Sequence, residues 1–287
     1  MRGIRVLVAT LVAACGGGET DPDGPTDGPG GSGDGPPADG RPDAGGDAAD
    51  GSTDGGPDAV IATCTTALLY NDCDPALDAN CASIPEPLRS DDAAAALGIG
   101  VLYGGNNNQV AFRSLFDAGG FDVIVFESSS RDVDVDTATR LATWVQGGGK
   151  IVFSFWDLDN ETVGPGLRAA LELTTTGSFD TPRSVHTGAS AAVDFFDRVE
   201  TFPSPLGFSN IGIDDGDELA TTTGLVSATF TSATGPGAIV VTNGGNAVVF
   251  GFLPIELVYA LVRDGDSDGK PDVEELYTNA LGYLCGS

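Results

Sequence analysis

The stretch "FDVIVFESSSRDVDVDTATRLATWVQGGGKIVFSFWDLDN", Phe121 to Asn160, decides the architecture. Its ends, FDVIVFESS and KIVFSFWDLDN, are near-continuous apolar runs rich in β-branched and aromatic residues, the pattern of strands buried on both faces. Between them Ala138, Leu141, Trp144 and Val145 recur at helical spacing, aspartates precede them where a helix N-terminus favours negative charge, and Gly147 to Gly149 end the run. Strand, helix and strand joined this way predict a right-handed crossover between parallel neighbours.

The same rhythm extends upstream. LGIGVLY (97–103) reads as a strand, GGNNN (104–108) as a turn, and QVAFRSLFDAGG (109–120) as a helix with Val110, Phe112, Leu115 and Phe116 near one face. The expected fold is therefore α/β, an open and mostly parallel sheet with helices on both faces, occupying residues 97–287. Downstream the rhythm changes to short strands, GLVSATFTS, GAIVVTN and NAVVFGF, and VTNGGNAVV has the turn chemistry of a hairpin. The closing VEELYTNALGYL places Leu276, Tyr277, Ala280, Leu281 and Leu284 on one helical stripe.

The start of the chain is of another kind. MRGIRVLVATLVAAC carries Arg2 and Arg5, then an apolar run from Val6 to Ala14, too short to span a bilayer and patterned as an export signal over residues 1–15. Val12-Ala13-Ala14-Cys15 resembles a bacterial lipobox, and the resemblance implies cleavage before Cys15, diacylation of its sulfur and a membrane partner. Gly16 after the cysteine favours the outer membrane by the same family logic. An ordinary signal cut after Ala14 is the alternative. Residues 16–60 are Gly, Asp, Pro, Ala, Ser and Thr almost throughout, with no aromatic residue, so they cannot offset about 1 to 2 kcal/mol per residue of backbone entropy and read as a disordered tether.

Residues 61–96 form a cysteine-containing segment ahead of the folded body. With Cys15 set aside, Cys64, Cys73, Cys81 and Cys285 remain, and an exported chain meets an oxidising compartment, so two disulfides are expected. Three pairings are open. The preferred one joins Cys73 to Cys81 around the short DPALDAN loop and Cys64 to Cys285. Zinc is disfavoured, since the chain has one histidine, His186, and no CxxC pair. A formal net charge of -29 makes nucleic acid a poor partner and cations a natural one.

One acidic stretch is ordered. In DGDSDGKPDVEE, counted from Asp264, carboxylates occupy positions 1, 3, 5, 9 and 12, namely Asp264, Asp266, Asp268, Asp272 and Glu275, with Gly269 at position 6. That is the spacing of a calcium loop over residues 264–275, in which alternate side chains turn inward, a glycine makes the bend, Lys270 lends its carbonyl and the last glutamate binds through both oxygens. Asp272 would bind through a water. Pro271 at position 8 has no N–H for the backbone pairing that joins two such loops. The pattern thus resembles the solitary DxDxDGxPDxxE loops of bacterial surface proteins and thrombospondin-type repeats, and it implies a structural calcium ion.

The folded part also resembles class I glutamine amidotransferase-like domains of the flavodoxin-like type, in FDVIVFESS, WVQGGGKIVFSF, GNAVVFGFLP and YTNALGYL. In active members the strand after the GGGK-like turn leads to an elbow bearing a cysteine, with a His-x-Glu pair later. Here that place reads SFWDLDN, so the resemblance implies the fold without the nucleophile. Ser154 lies between Phe153 and Phe155, not on a Gly-x-Ser-x-Gly elbow, and His186 has no nearby acid in sequence. Asp157 and Asp159, beyond the third of these strands, and Asn106, Asn107 and Asn108, beyond the first, fall at the carboxyl edge where open α/β sheets bind ligands, and form a candidate crevice. Two function classes result. One is a non-catalytic envelope lipoprotein whose calcium-stabilised domain binds a glycan, peptide or protein. The other is a carboxylate-dependent hydrolase acting on a sugar at the strand-end acids.

Overall fold

A ten-stranded sheet divides the described part of the chain into two cores. The computed structural model describes residues 63–72, 89–106, 108–129, 131–159, 163–179, 183–207, 216–254 and 264–286. The strands are β1 (Thr66–Asn71), β2 (Gly100–Asn106), β3 (Val123–Ser128), β4 (Lys150–Phe155), β5 (Leu173–Phe179), β6 (Val185–Thr187), β7 (Gly216–Thr221), β8 (Leu225–Phe230), β9 (Gly237–Thr242) and β10 (Ala247–Phe250). The helices are α1 (Arg89–Ala96), α2 (Gln109–Ala118), α3 (Val135–Gln146), α4 (Pro165–Ala170) and α5 (Asp272–Cys285).

Strands β2, β1, β3, β4 and β10 lie side by side in that order, all parallel. This is the 2-1-3-4-5 order of flavodoxin-like sheets, with β10 in the fifth place. The α/β class and the parallel sheet expected from Phe121–Asn160 are therefore present. From β10 outward every pairing is antiparallel: β9 follows, then β8 with β6 beyond it and β7 with β5 beyond it. The change of rhythm after Asn160 is this antiparallel half, and Asn243–Gly245 forms the reversal between β9 and β10.

The sheet starts earlier than the expected Leu97. Thr66–Asn71 lies between β2 and β3, in the middle of the parallel half, and α1 covers one face. Residues 63–72 and 89–96 therefore belong to the folded body. Only Ala67, Leu68, Leu69 and Tyr70 carry the apolar signal of β1, and after a long stretch of polar sequence so short a run is easily passed over.

Strand side chains alternate between two cores, as the period of two requires. Leu69, Val125 and Val152 meet α1 and α5 on one face, while Leu68, Tyr70, Ile124, Phe126 and Phe153 meet α2, α3 and α4 on the other. Tyr70 stacks on Phe126, which stacks on Phe153, and the ring of Phe112 from α2 meets the first two edge-on. Helix starts are capped as their sequences suggest: Asn108 accepts the N–H of Ala111 and Asp134 that of Thr137. Gly149 is required by close approach, because a Cβ there would lie 2.2 Å from the Trp144 ring.

Helix α5 is buried on almost every side, including Leu276, Tyr277, Ala280, Leu281 and Leu284. Two devices hold its far end. Gly286 closes it in the left-handed conformation, and a disulfide joins Cys285 to Cys64, with Cα atoms 5.2 Å apart, just ahead of β1. Thr63 donates both its N–H and its hydroxyl to the Cys285 carbonyl at 2.6 and 2.7 Å. Cys73 and Cys81, like Cys15 and the 1–60 segment, lie outside the described residues.

Candidate metal centre

The near end of α5 emerges from the 264–275 loop, and the loop's own hydrogen bonds turn its acids inward. Asp264 accepts the N–H groups of Asp268 and Gly269 at 3.1 and 2.9 Å, Asp266 accepts Asp268 N–H at 3.2 Å, and Asp268 accepts Lys270 N–H at 2.7 Å. Gly269 takes φ +96°, a conformation that side chains rarely adopt, so the bend depends on glycine at this position. Asp264, Asp266 and Asp268 each offer an oxygen within 4.8 Å of the others. Oxygens bound to one calcium ion at about 2.3 to 2.6 Å can lie no more than about 5 Å apart, so the trio fits one coordination sphere.

Glu275, in the first turn of α5, is fully buried, and neither of its carboxylate oxygens has a hydrogen-bond partner among the described residues. Polar groups buried in proteins are nearly always satisfied, and a bare carboxylate is among the costliest to leave unpaired. Burial, followed by the charges of Asp266, Asp268, Asp272 and Glu200, pushes its pKa up to about 8. One of its oxygens lies within 4.8 Å of oxygens of Asp268 and Glu200. A divalent cation at this point would satisfy both oxygens and cancel the repulsion.

Asp272 is also buried, and its Oδ1 accepts the Gly265 N–H at 2.6 Å, so this carboxyl ties the start of the loop to the start of α5. Lys270 reaches across to pair with Glu200. Sequence reasoning missed Glu200, which lies far from the loop in the chain. It is brought there by Asn279, a fully buried residue of α5 whose side-chain oxygen accepts the N–H groups of Val199 and Glu200, both at 2.8 Å. The Asn279 amide group donates to the carbonyls of Phe195 and Glu200 at 2.9 and 2.8 Å. A buried asparagine within an otherwise apolar helical stripe was the one sequence signal of this contact.

The candidate crevice at the carboxyl edge is described only in part, the Asn106 side chain lying outside what the structure describes. Asn108 is spent on the cap of α2, Asp157 is half-buried and Asp159 exposed on the turn beyond β4, and the Asp159 carbonyl accepts Arg168 at 3.3 Å. Strands β2 and β4 are separated by β1 and β3, hence by roughly 14 Å at ordinary strand spacing. Asn107 lies outside the described residues. At the switch point between β1 and β3, where such sheets bind ligands, described side chains hydrogen-bond to their neighbours. Buried Asp72 accepts the Ser128 hydroxyl, the Ser129 hydroxyl and the Arg131 N–H at 2.8, 3.0 and 3.0 Å, and Glu127 accepts the Tyr277 hydroxyl of α5. Ser154 is buried in the sheet, and His186, on β6, shares a 2.8 Å hydrogen bond with Ser184. Four strand spacings separate β4 from β6 along the sheet, so the two cannot act as nucleophile and base.

No family model and no curated protein matches this chain. Solved structures similar to it include an alpha-L-fucosidase isoenzyme 2 from Paenibacillus thiaminolyticus, at 12% identity and TM-score 0.46 over 79% of this chain and 33% of that one. A ThuA-like protein from Parabacteroides merdae aligns at 10% identity and TM-score 0.46 over 77% of this chain and 90% of that one. The glutaminase domain of Trypanosoma brucei CTPS aligns at 9% identity and TM-score 0.39 over 78% of this chain and 95% of that one. The chain spans about a third of the length of the fucosidase. Likeness at this level says nothing of activity.

Proposed function

We propose that the protein is a non-catalytic lipoprotein of the cell envelope, anchored through Cys15, whose α/β domain is stabilised by one calcium ion in the 264–275 loop and presents a binding surface for a glycan, peptide or protein. The observation that carries the cation is Glu275, whose two buried oxygens have no hydrogen-bond partner among the described residues, one of them lying within 4.8 Å of oxygens of Asp268 and Glu200. Asp264, Asp266 and Asp268, the Lys270 carbonyl and both Glu275 oxygens would hold the ion, and it would supply charge neutralisation and rigidity, not a reacting water. Calcium suits an all-oxygen set that includes a bidentate carboxylate better than magnesium, which keeps its waters and demands a tight octahedron. The hydrogen bonds that engage Asp72 and Glu127 at the switch point and the distance between the ends of β2 and β4 support a domain without chemistry at the usual edge.

Isothermal titration of calcium into the full chain, stripped beforehand with a chelator, tests this reading. One ion per chain is expected, with no binding by Glu275→Gln. Absence of heat in the unaltered protein would remove the metal from the account.

A further inference from the structure

We propose that Glu200 is a calcium ligand supplied from outside the loop, and that the Lys270 ammonium is the counter-charge it exchanges for the ion. The inference rests on the cation reading above and adds to it the residue that couples the ion to a distant part of the fold.

Three observations converge. A Glu200 oxygen lies within 4.8 Å of ligand oxygens of both Asp268 and Glu275, the same span that one calcium ion can bridge. Asn279 fixes the Glu200 backbone through both its N–H and its carbonyl, so the carboxylate is aimed at the loop from a rigid base. Position 9 of the loop, where a ligand or its water is ordinarily supplied, is Asp272, whose Oδ1 accepts the Gly265 N–H, and Glu200 is already seated beside the loop, paired with the side chain of Lys270 two residues earlier. The trio of Asp264, Asp266 and Asp268 and the trio of Glu200, Asp268 and Glu275 share Asp268; drawn onto one ion, with the Lys270 carbonyl and both Glu275 oxygens, they would give seven oxygens, within the about six to eight that calcium takes.

Lys270 gives the arrangement a second state. Its backbone carbonyl belongs to the loop's ligand set while its side chain pairs with Glu200. A carboxylate cannot give its best geometry to an ammonium and a divalent ion at once. Binding the ion therefore releases the lysine to solvent, which it already partly reaches, the side chain being 38% exposed. The lysine lowers calcium affinity by competing for Glu200 and keeps the acids tolerable when calcium is scarce.

The test is calcium and magnesium affinity, measured by competition with a fluorescent chelator, for the full chain and for Glu200→Gln, Lys270→Met, the double variant and Glu275→Gln. Glu200→Gln should weaken calcium about tenfold by removing one charged ligand, and leave magnesium nearly unchanged, since that ion keeps waters in place of distant ligands. Unaltered magnesium affinity and an unaltered melting temperature in chelator show that the variant folds. Lys270→Met should tighten calcium several-fold in the native background and not in the Glu200→Gln background, a coupling that general electrostatics would not produce. If Glu200→Gln binds calcium like the native protein while Glu275→Gln does not bind, the role of Glu200 is overturned and the loop site stands. If the native protein binds no calcium, both readings fall together. Equal tightening by Lys270→Met in both backgrounds would overturn the exchange.

Discussion

Glu275 is costly to bury as an anion, and the cost depends on pH. Its pKa in the folded protein, about 8, lies above the ordinary 4.5, so the folded state holds a proton that the unfolded chain has already released. Where the folded state binds more protons, stability falls as pH rises. In chelator the melting temperature should therefore decline from about pH 4.5 to about 8 and level off above, and saturating calcium should flatten that decline; a chelated protein whose stability rose over this window would refute the assignment. Glu275→Gln should remove most of the decline in chelator and all of the calcium response. Asn279 is the second decisive residue. Truncation to alanine strands N–H and carbonyl groups of Phe195, Val199 and Glu200, which should cost about 3 kcal/mol by chemical denaturation and weaken calcium binding by loosening Glu200. The ligand pattern of 264–275 is legible in sequence because its members are consecutive. Glu200 is not, because a contact made by folding leaves no local period, only the odd polar residue that reaches for it.

At the scale of elements, α5 is held at both ends. Lys270 of the loop pairs with Glu200 just ahead of its first turn, and the Cys64–Cys285 disulfide ties its last residue to the chain just ahead of β1. The bond spans a sequence separation of 221, and in the chain-entropy picture a loop of that size is worth about 5 kcal/mol. Cys285→Ser should lower the melting temperature by roughly 10 to 20 °C for a domain of this size, while calcium still binds; loss of calcium binding together with the bond would show that the two ends are not independent. Strand β3, helix α3 and strand β4 are readable from Phe121–Asn160, since long apolar runs and a capped amphipathic helix leave little choice. Strand β1 is harder to read: four apolar residues after a long polar stretch do not announce a central strand, and only pairing on both sides makes Thr66–Asn71 one. The distance between the ends of β2 and β4 is hidden for a related reason, because sequence gives the ends of strands but not their order across the sheet.

For the whole molecule, the proposal joins an export signal, an acidic Gly/Asp/Pro-rich stretch and a domain closed by a metal clasp. If Cys15 is acylated, each buried methylene contributes about 0.8 kcal/mol to membrane attachment, and Cys15→Ser should move the protein from the membrane to the soluble fraction; an unchanged membrane fraction would remove the anchor. In the proposed reading the clasp would lie outside the cytoplasm, where calcium is abundant enough to fill a site of about 0.1 to 1 mM affinity. An ion at a hundredfold excess over its dissociation constant adds about 2.7 kcal/mol, or roughly 5 to 10 °C in a domain of this size. Thermal unfolding of the full chain in saturating calcium and in EGTA at neutral pH measures this directly. A rise of that order with calcium, absent in Glu275→Gln, is the predicted result; identical melting temperatures in the two solutions would contradict the clasp.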